Sequence, residues 1–167
     1  MIQIKTALKA PGEIFPLEKE YFYEALDFQG AVEFIGPVRF CGSFSCVGQS
    51  IEVTGEIRAK LRLMCNRCNE PYECALCLPF SETFSHNSEE EELRIQNGSL
   101  ISLSEPILGY ILMNLPMERL CKDSCKGVCP VCGVNRNEIP CSCSQSVQAE
   151  ASNPFSALQR LMDDEEV

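Results

Sequence analysis

The stretch SIEVTGEIRAKLRLM, residues 50–64, decides the fold. Ile51, Val53, Gly55, Ile57, Ala59, Leu61 and Leu63 share one parity, and Glu52, Thr54, Glu56, Arg58, Lys60 and Arg62 share the other. Successive side chains of a strand point to opposite faces, so the first set reads as buried and the second as solvated. A strand this long needs neighbours on its edges. Val38–Val47 before it is aromatic and β-branched, and Gly48-Gln49 turns it back. Tyr72–Phe84 after it reads as a further strand. The chain therefore begins as an antiparallel sheet.

Working outward, Ile2, Ile4 and Thr6 alternate with Gln3 and Lys5, a half-buried strand pattern. Residues 12–30 are ambiguous: Leu17, Phe22, Ala25 and Leu26 suit a short helix bounded by Pro16 and Gly30, and β character resumes at Val32, Phe34 and Ile35. Residues 87–98, NSEEEELRIQNG, read as an acidic loop. Ser104 reads as an N-cap with Glu105-Pro106 in the first turn. Ile107, Leu108, Ile111, Leu112 and Leu115 then recur at helical spacing until Pro116 ends the helix. The expected organisation is a β-rich domain over 1–86, a loop over 87–98, a core helix within 99–120, a cysteine-rich segment over 121–144, and a linker with a short helix over 145–167. In that last helix Phe155, Leu158, Leu161 and Met162 form the apolar stripe. The class is α+β: a mainly antiparallel sheet, one packed helix, a C-terminal zinc-knuckle segment and a short terminal helix.

The 167 residues, 45% hydrophobic and 23% charged, are ordinary for a soluble globular chain. No run reaches the roughly 20 apolar residues of a membrane span, and MIQIKTALKAPGEIF lacks the apolar block of a secretory signal; a cytoplasmic protein is expected. The net charge is −10, of which Glu89–Glu92 carry −4 and Asp163, Asp164, Glu165 and Glu166 another −4. Such runs read as solvated. An acidic chain is a poor non-specific binder of nucleic acid, because each phosphate contact needs a cation. The cationic row that exists is Arg58, Lys60 and Arg62, followed by Arg67. It can track phosphates, or it is a solvated face balanced by Glu52 and Glu56.

Twelve cysteines stand against one histidine and no tryptophan. A reducing cytosol does not keep structural disulfides, so the thiols read first as metal ligands. Six lie in CKDSCKGVCPVCGVNRNEIPCSC: Cys121, Cys125, Cys129, Cys132, Cys141 and Cys143. Cys129-Pro-Val-Cys132-Gly133 sets two thiolates in one tight turn, and Gly133 can take positive φ and aim backbone N–H groups at sulfur. Cys141 and Cys143 can complete a tetrahedral site, with Cys121 or Cys125 as replacements. A second cluster, CNRCNEPYECALC, holds Cys65, Cys68, Cys74 and Cys77, and Asn69 stands where Gly133 stands in the other. Two pairings are open. These four can meet in a tight hairpin, or Cys65 and Cys68 can share an ion with two C-terminal cysteines. Zinc is the expected metal, since it favours tetrahedral thiolate and needs no redox partner. Cys41 and Cys46 are five apart in a strand, face opposite ways, and read as packing residues.

No catalytic constellation emerges. His86, the one histidine, sits beside the acidic loop; there is no phosphate-binding glycine loop, and all-thiolate zinc sites are mostly structural. No small-molecule substrate is expected.

Taken together, these motifs resemble the YceD family, the large ribosomal RNA subunit accumulation proteins of bacteria and plastids. The resemblance is carried by the long strand running into Cys65-x-Arg67-Cys68 and Glu70-Pro71, and by the apolar helix ending in Leu115-Pro116-Met117. It continues through Cys125-Lys126-Gly127-Val128-Cys129-Pro130-x-Cys132-Gly133, Asn135, Asn137 and Cys141-x-Cys143, and closes on Asn153-Pro154-Phe155. It implies a non-enzymatic role in the synthesis, processing or stability of large-subunit ribosomal RNA, through a ribosomal protein or pre-ribosomal RNA. Cys74 and Cys77 depart from the family, which usually has an ordinary strand there. The competing reading is a redox sensor in which zinc release exposes reactive thiols.

Overall fold

The computed structural model describes residues 1–143. In chain order the elements are β1 (Ile2–Gln3), α1 (Lys5–Lys9), β2 (Ile14–Tyr21), β3 (Leu26–Asp27), β4 (Ala31–Phe34), β5 (Val38–Val47), β6 (Ser50–Met64), β7 (Pro71–Phe84), a 3-10 turn (Glu91–Leu93), β8 (Leu100–Ile101) and α2 (Ser104–Met113). The fold is α+β and its sheet is antiparallel. These residues form two compact units, one of Met1–Cys65 with Glu70–Cys121, the other containing Asn66–Asn69 and running on from Lys122.

In the first unit β6 is the spine. β7 pairs with it along its whole length, from Ile51↔Phe84 to Met64↔Pro71. On its other edge β5 pairs with the first half and β4 with the second, so β2-β5 and β3-β4 lie side by side. The alternation in residues 50–64 is realised: Ile51, Val53, Ile57, Ala59, Leu61 and Leu63 are buried, and Glu52, Thr54, Arg58, Lys60 and Arg62 are exposed. Gly55 faces Gly42 of β5, and the Phe40 ring lies over both. A Cβ on Gly55 would meet the Cα of Gly42 at 2.7 Å and the Phe40 ring at 2.8 Å. Here the absence of a side chain lets two strands and an aromatic ring pack together.

Helix α2 buries Ile107 and Ile111 against this sheet face. Its Tyr110 ring packs on Phe80 at 4.8 Å, and Phe80 meets Phe40 edge-on at 5.5 Å. The Tyr110 hydroxyl donates to the Ser81 carbonyl at 3.1 Å. The first residue of α2 is Ser104 itself, with Leu103 at the cap and no side-chain cap bond. Tyr23 donates to the Ser104 carbonyl at 2.7 Å. The helix stops at Met113; Asn114 folds its amide back onto the Tyr110 carbonyl at 2.8 Å, short of the residue that Pro116 restricts.

Expectations elsewhere in the chain change as well. Residues 12–30 form β2 and β3, because β2 finds a full partner in β5, from Ile14↔Ser45 to Tyr21↔Val38. The N-terminal strand is only Ile2–Gln3, and Thr6 lies in α1. Cys41 and Cys46 do face opposite ways, but only Cys46 is buried; Cys41 is exposed on the outer face. The acidic loop is anchored by Arg94, which donates to the Ser88 carbonyl at 2.9 Å, and by buried Ile95. The expected linker and short terminal helix over 145–167 lie outside the described residues.

Candidate metal centres

Among its described residues the second unit has almost no apolar core. From Lys122 on, the buried hydrophobic residues among those described are Cys125 and Cys129. A segment this poor in buried carbon needs another source of cohesion. Its sulfurs are grouped. The Sγ atoms of Cys129, Cys132, Cys141 and Cys143 all lie within 4.8 Å of one another, and so do those of Cys65, Cys68, Cys121 and Cys125. A tetrahedral zinc with bonds of about 2.3 Å has sulfur–sulfur edges of about 3.8 Å, so a small contraction closes either group on an ion. Neither group includes a histidine or a carboxylate. Both can hold a metal ion.

The local backbone explains the second group. The Cys129 N–H donates to the Val134 carbonyl at 2.8 Å and the Gly133 N–H to the Cys129 carbonyl at 2.9 Å, closing the turn through Gly133 at φ 73°. Val128 and Asn135 bridge beneath it. The N–H groups of Cys132 and Val131 point at the Cys129 sulfur and lower its pKa to about 6. The neighbouring thiols answer in the opposite direction. Cys141, hydrogen-bonded to the Cys129 sulfur, is raised, and Cys143, hydrogen-bonded to Cys132 and partly desolvated, is raised to about 11. Cys129 thus gives up its proton more readily, while Cys141 and Cys143 hold theirs more tightly. A divalent cation, if bound by the four sulfurs, would remove that conflict and let the group ionise.

In the first group Cys65 directly follows β6 and Cys68 sits in the turn to β7, where Asn69 takes φ 59°. The Cys65 N–H closes the hairpin on the Glu70 carbonyl at 2.9 Å. Cys125 is held by its own N–H on the Lys122 carbonyl at 3.0 Å. Asn137 donates its amide to the Cys125 sulfur at 3.3 Å and accepts from the Lys126 N–H at 2.9 Å. Gly127, at φ 70°, lets the Arg67 carbonyl approach and take the Val128 N–H at 2.9 Å; a Cβ there would lie 2.8 Å from that oxygen.

Of the two groupings left open by the sequence, the structure brings the sulfurs of Cys65 and Cys68 together with those of Cys121 and Cys125. Cys74 and Cys77 lie in neither group: on β7 Cys74 is half-buried and Cys77 exposed, on opposite faces. Their strand pairs with β6 throughout, which carries them away from Cys65 and Cys68. Asn137 was visible only as part of a motif; its role as a sulfur donor needs the tertiary turn.

The cationic row is neutralised. Arg62 pairs with Glu33 at 3.0 Å, Lys60 with Glu73 at 2.6 Å, and Arg58 with Glu56. Next to them Arg39 pairs with Glu20 at 2.8 Å. Arg67 donates to the Cys125 carbonyl at 3.4 Å. His86 is exposed. Among the described residues no helix is long and apolar enough to cross a membrane.

The chain is thus an α+β fold with an antiparallel sheet and two four-cysteine groups able to hold a metal ion. The family model for the large ribosomal RNA subunit accumulation protein YceD matches residues 53–162, and the chain belongs to that family. An uncharacterized protein of Mycobacterium tuberculosis is 30% identical over 95 residues, 53% of this chain and 46% of that protein. A Mycobacterium bovis protein, also uncharacterized, matches over the same shares. The chloroplastic large ribosomal RNA subunit accumulation protein YCED homolog 1 of Arabidopsis thaliana is 22% identical over 151 residues, 71% of this chain and 47% of that protein. The chain thus spans about half the length of the curated relatives it matches. No solved structure gives a significant match.

Proposed function

We propose that this chain is a non-enzymatic, zinc-binding factor in large-subunit ribosomal RNA accumulation, and that it acts in the cytoplasm through direct contact with a ribosomal protein. The carrying observation is the pair of disjoint four-sulfur groups. Four thiolates fill a tetrahedral zinc and leave no open position for substrate, so the metal acts as a fold-forming element. In the second group Cys129, Cys132, Cys141 and Cys143 would hold the ion, and in the first Cys65, Cys68, Cys121 and Cys125. When bound, the ion supplies cohesion and thiolate charge neutralisation.

Two observations favour a protein partner over direct RNA contact. The net charge is −10, and Arg58, Lys60 and Arg62 each carry an acidic partner. Phosphate binding would have to displace those carboxylates. The test is a salt-titrated binding assay with large-subunit ribosomal RNA fragments beside a panel of large-subunit proteins. The expected result is retention of a ribosomal protein and no RNA affinity at low salt. Steeply salt-dependent RNA binding, weakened by Arg58→Ala and Lys60→Ala, would overturn the protein-contact reading.

A further inference from the structure

Among the described residues the β7 edge of the sheet is open. In the β6–β7 hairpin the Cys65 N–H donates to the Glu70 carbonyl, so the Glu70 backbone faces the β6 side. Backbone groups alternate edges along a strand, so the even residues of β7 serve β6 and the odd ones point away. The far end agrees. The Ser81 carbonyl accepts from Tyr110, and Ser85 bonds outward to Leu93 and Ile95. Before Ser81 the outward residues are Pro71, Glu73, Ala75, Cys77 and Pro79. Among the described residues nothing pairs with the outward N–H groups of Glu73, Ala75 and Cys77.

The side chains along this edge are unfinished too. Tyr72, Cys74, Leu76 and Leu78 point to the core face but are only partly buried, while their neighbours Leu63, Leu61, Ala59 and Ile57 on β6 are buried. An added strand would cover that row.

We propose that Pro71–Pro79 pairs antiparallel with the same segment of a second copy of this chain, Ala75 opposite Ala75, giving a two-fold dimer with a sheet continuous across both copies. The sequence PYECALCLP carries the argument. In this register Glu73 lies opposite the second copy's Cys77, and the three outward donors of each copy all find a carbonyl. The prolines at both ends fall opposite each other, where neither has an N–H to lose. A slip of two residues sets Pro79 against Glu73 and forfeits ladder bonds. A slip of one turns every side chain to the wrong face. On the core side Tyr72 meets Leu78 and Cys74 meets Leu76, so the half-buried rows cover each other. No like charges oppose, because Glu73 faces Cys77 and is already bonded to Lys60 at 2.6 Å. The prolines also limit the ladder to this short segment, so a closed dimer forms in place of an open polymer.

Sedimentation of the full zinc-loaded chain over a micromolar concentration series tests this. The expected result is a reversible doubling of mass, lost in Ala75→Pro. That variant removes an N–H the monomer's own sheet does not use, so the β signal in circular dichroism should persist. A second variant guards against a folding failure. Leu76→Cys places a new thiol opposite the native Cys74 of the other copy at a non-hydrogen-bonded pair, with Cα atoms about 4.5 Å apart, close enough for a disulfide. Mild oxidation should give an intermolecular 74–76 linkage, identified by peptide mapping. A monomer at every concentration overturns the proposal, as does a dimer that survives Ala75→Pro or lacks the 74–76 link.

Discussion

If the eight grouped sulfurs hold two separate ions, single cysteine substitutions divide into classes with integer outcomes. The wild-type chain should carry two zinc ions, and thiol reactivity can be counted in parallel. Outside the two groups stand Cys41, Cys46, Cys74 and Cys77. Cys41 and Cys77 are exposed, Cys74 is half-buried and Cys46 is buried. A thiol reagent should therefore modify about three of the twelve cysteines in the native, zinc-loaded protein. Cys132→Ser removes one ligand of the second group. One ion should leave and free Cys129, Cys141 and Cys143, raising the reactive count to about six. Because the groups share no residue, the first ion should stay. Cys74→Ser should leave both ions and only lower the count by one. Elemental analysis beside a timed thiol titration reads both numbers. A zinc content unchanged by Cys132→Ser, or reduced by Cys74→Ser, would refute the assignment of ligands.

Other outcomes follow from the same structure. Stripping the metal with a strong chelator should abolish the chemical-shift dispersion of residues 122–143 and leave the sheet of the first unit, which has its own carbon core; heteronuclear NMR reads both at once. Asn137→Ala removes an amide donor from the Cys125 sulfur and should speed zinc loss to a competing chelator by about 10-fold, without changing stoichiometry. Ile111→Ala empties a fully buried site between α2 and the sheet and should cost about 3 kcal/mol in denaturant unfolding. Burial raises Tyr21 and Tyr23 from 10 to about 12. The folded state thus holds protons that the unfolded chain releases, so their contribution is complete below pH 10 and lost between pH 10 and 12. Tyrosinate absorbance should lag behind that of free tyrosine until unfolding.

The sheet was legible where one face is dry and the other wet. Residues 51–63 show that contrast at nearly every position, so β6 and its hairpin partners were readable. Residues 12–30 were not, because β2 has Glu18, Lys19 and Glu20 in succession, all exposed, and its strand character comes from pairing with β5. The six C-terminal cysteines announced a metal site but not its membership. Cys121 and Cys125 sort with Cys65 and Cys68 through contacts across more than fifty residues, which spacing does not encode. The neutralising partners show the same limit. Glu56 is a near neighbour of Arg58, but Glu33 and Glu73 reach Arg62 and Lys60 only because β4 and β7 flank β6.

The face-to-face glycines of β5 and β6 make three positions behave as one inherited unit. Enlarging Gly42 or Gly55 to alanine drives a methyl into the opposite strand and into the ring of Phe40, and shrinking Phe40 leaves a hollow above two residues that have nothing to fill it. Each single change is thus harmful alone, and part of the damage is relieved only when ring and glycine change together. A smaller ring removes only the contact with Phe40, since the Thr54 and Cys41 carbonyls still block a methyl at Gly42 and Gly55, so a library that randomises these positions should return glycine at both.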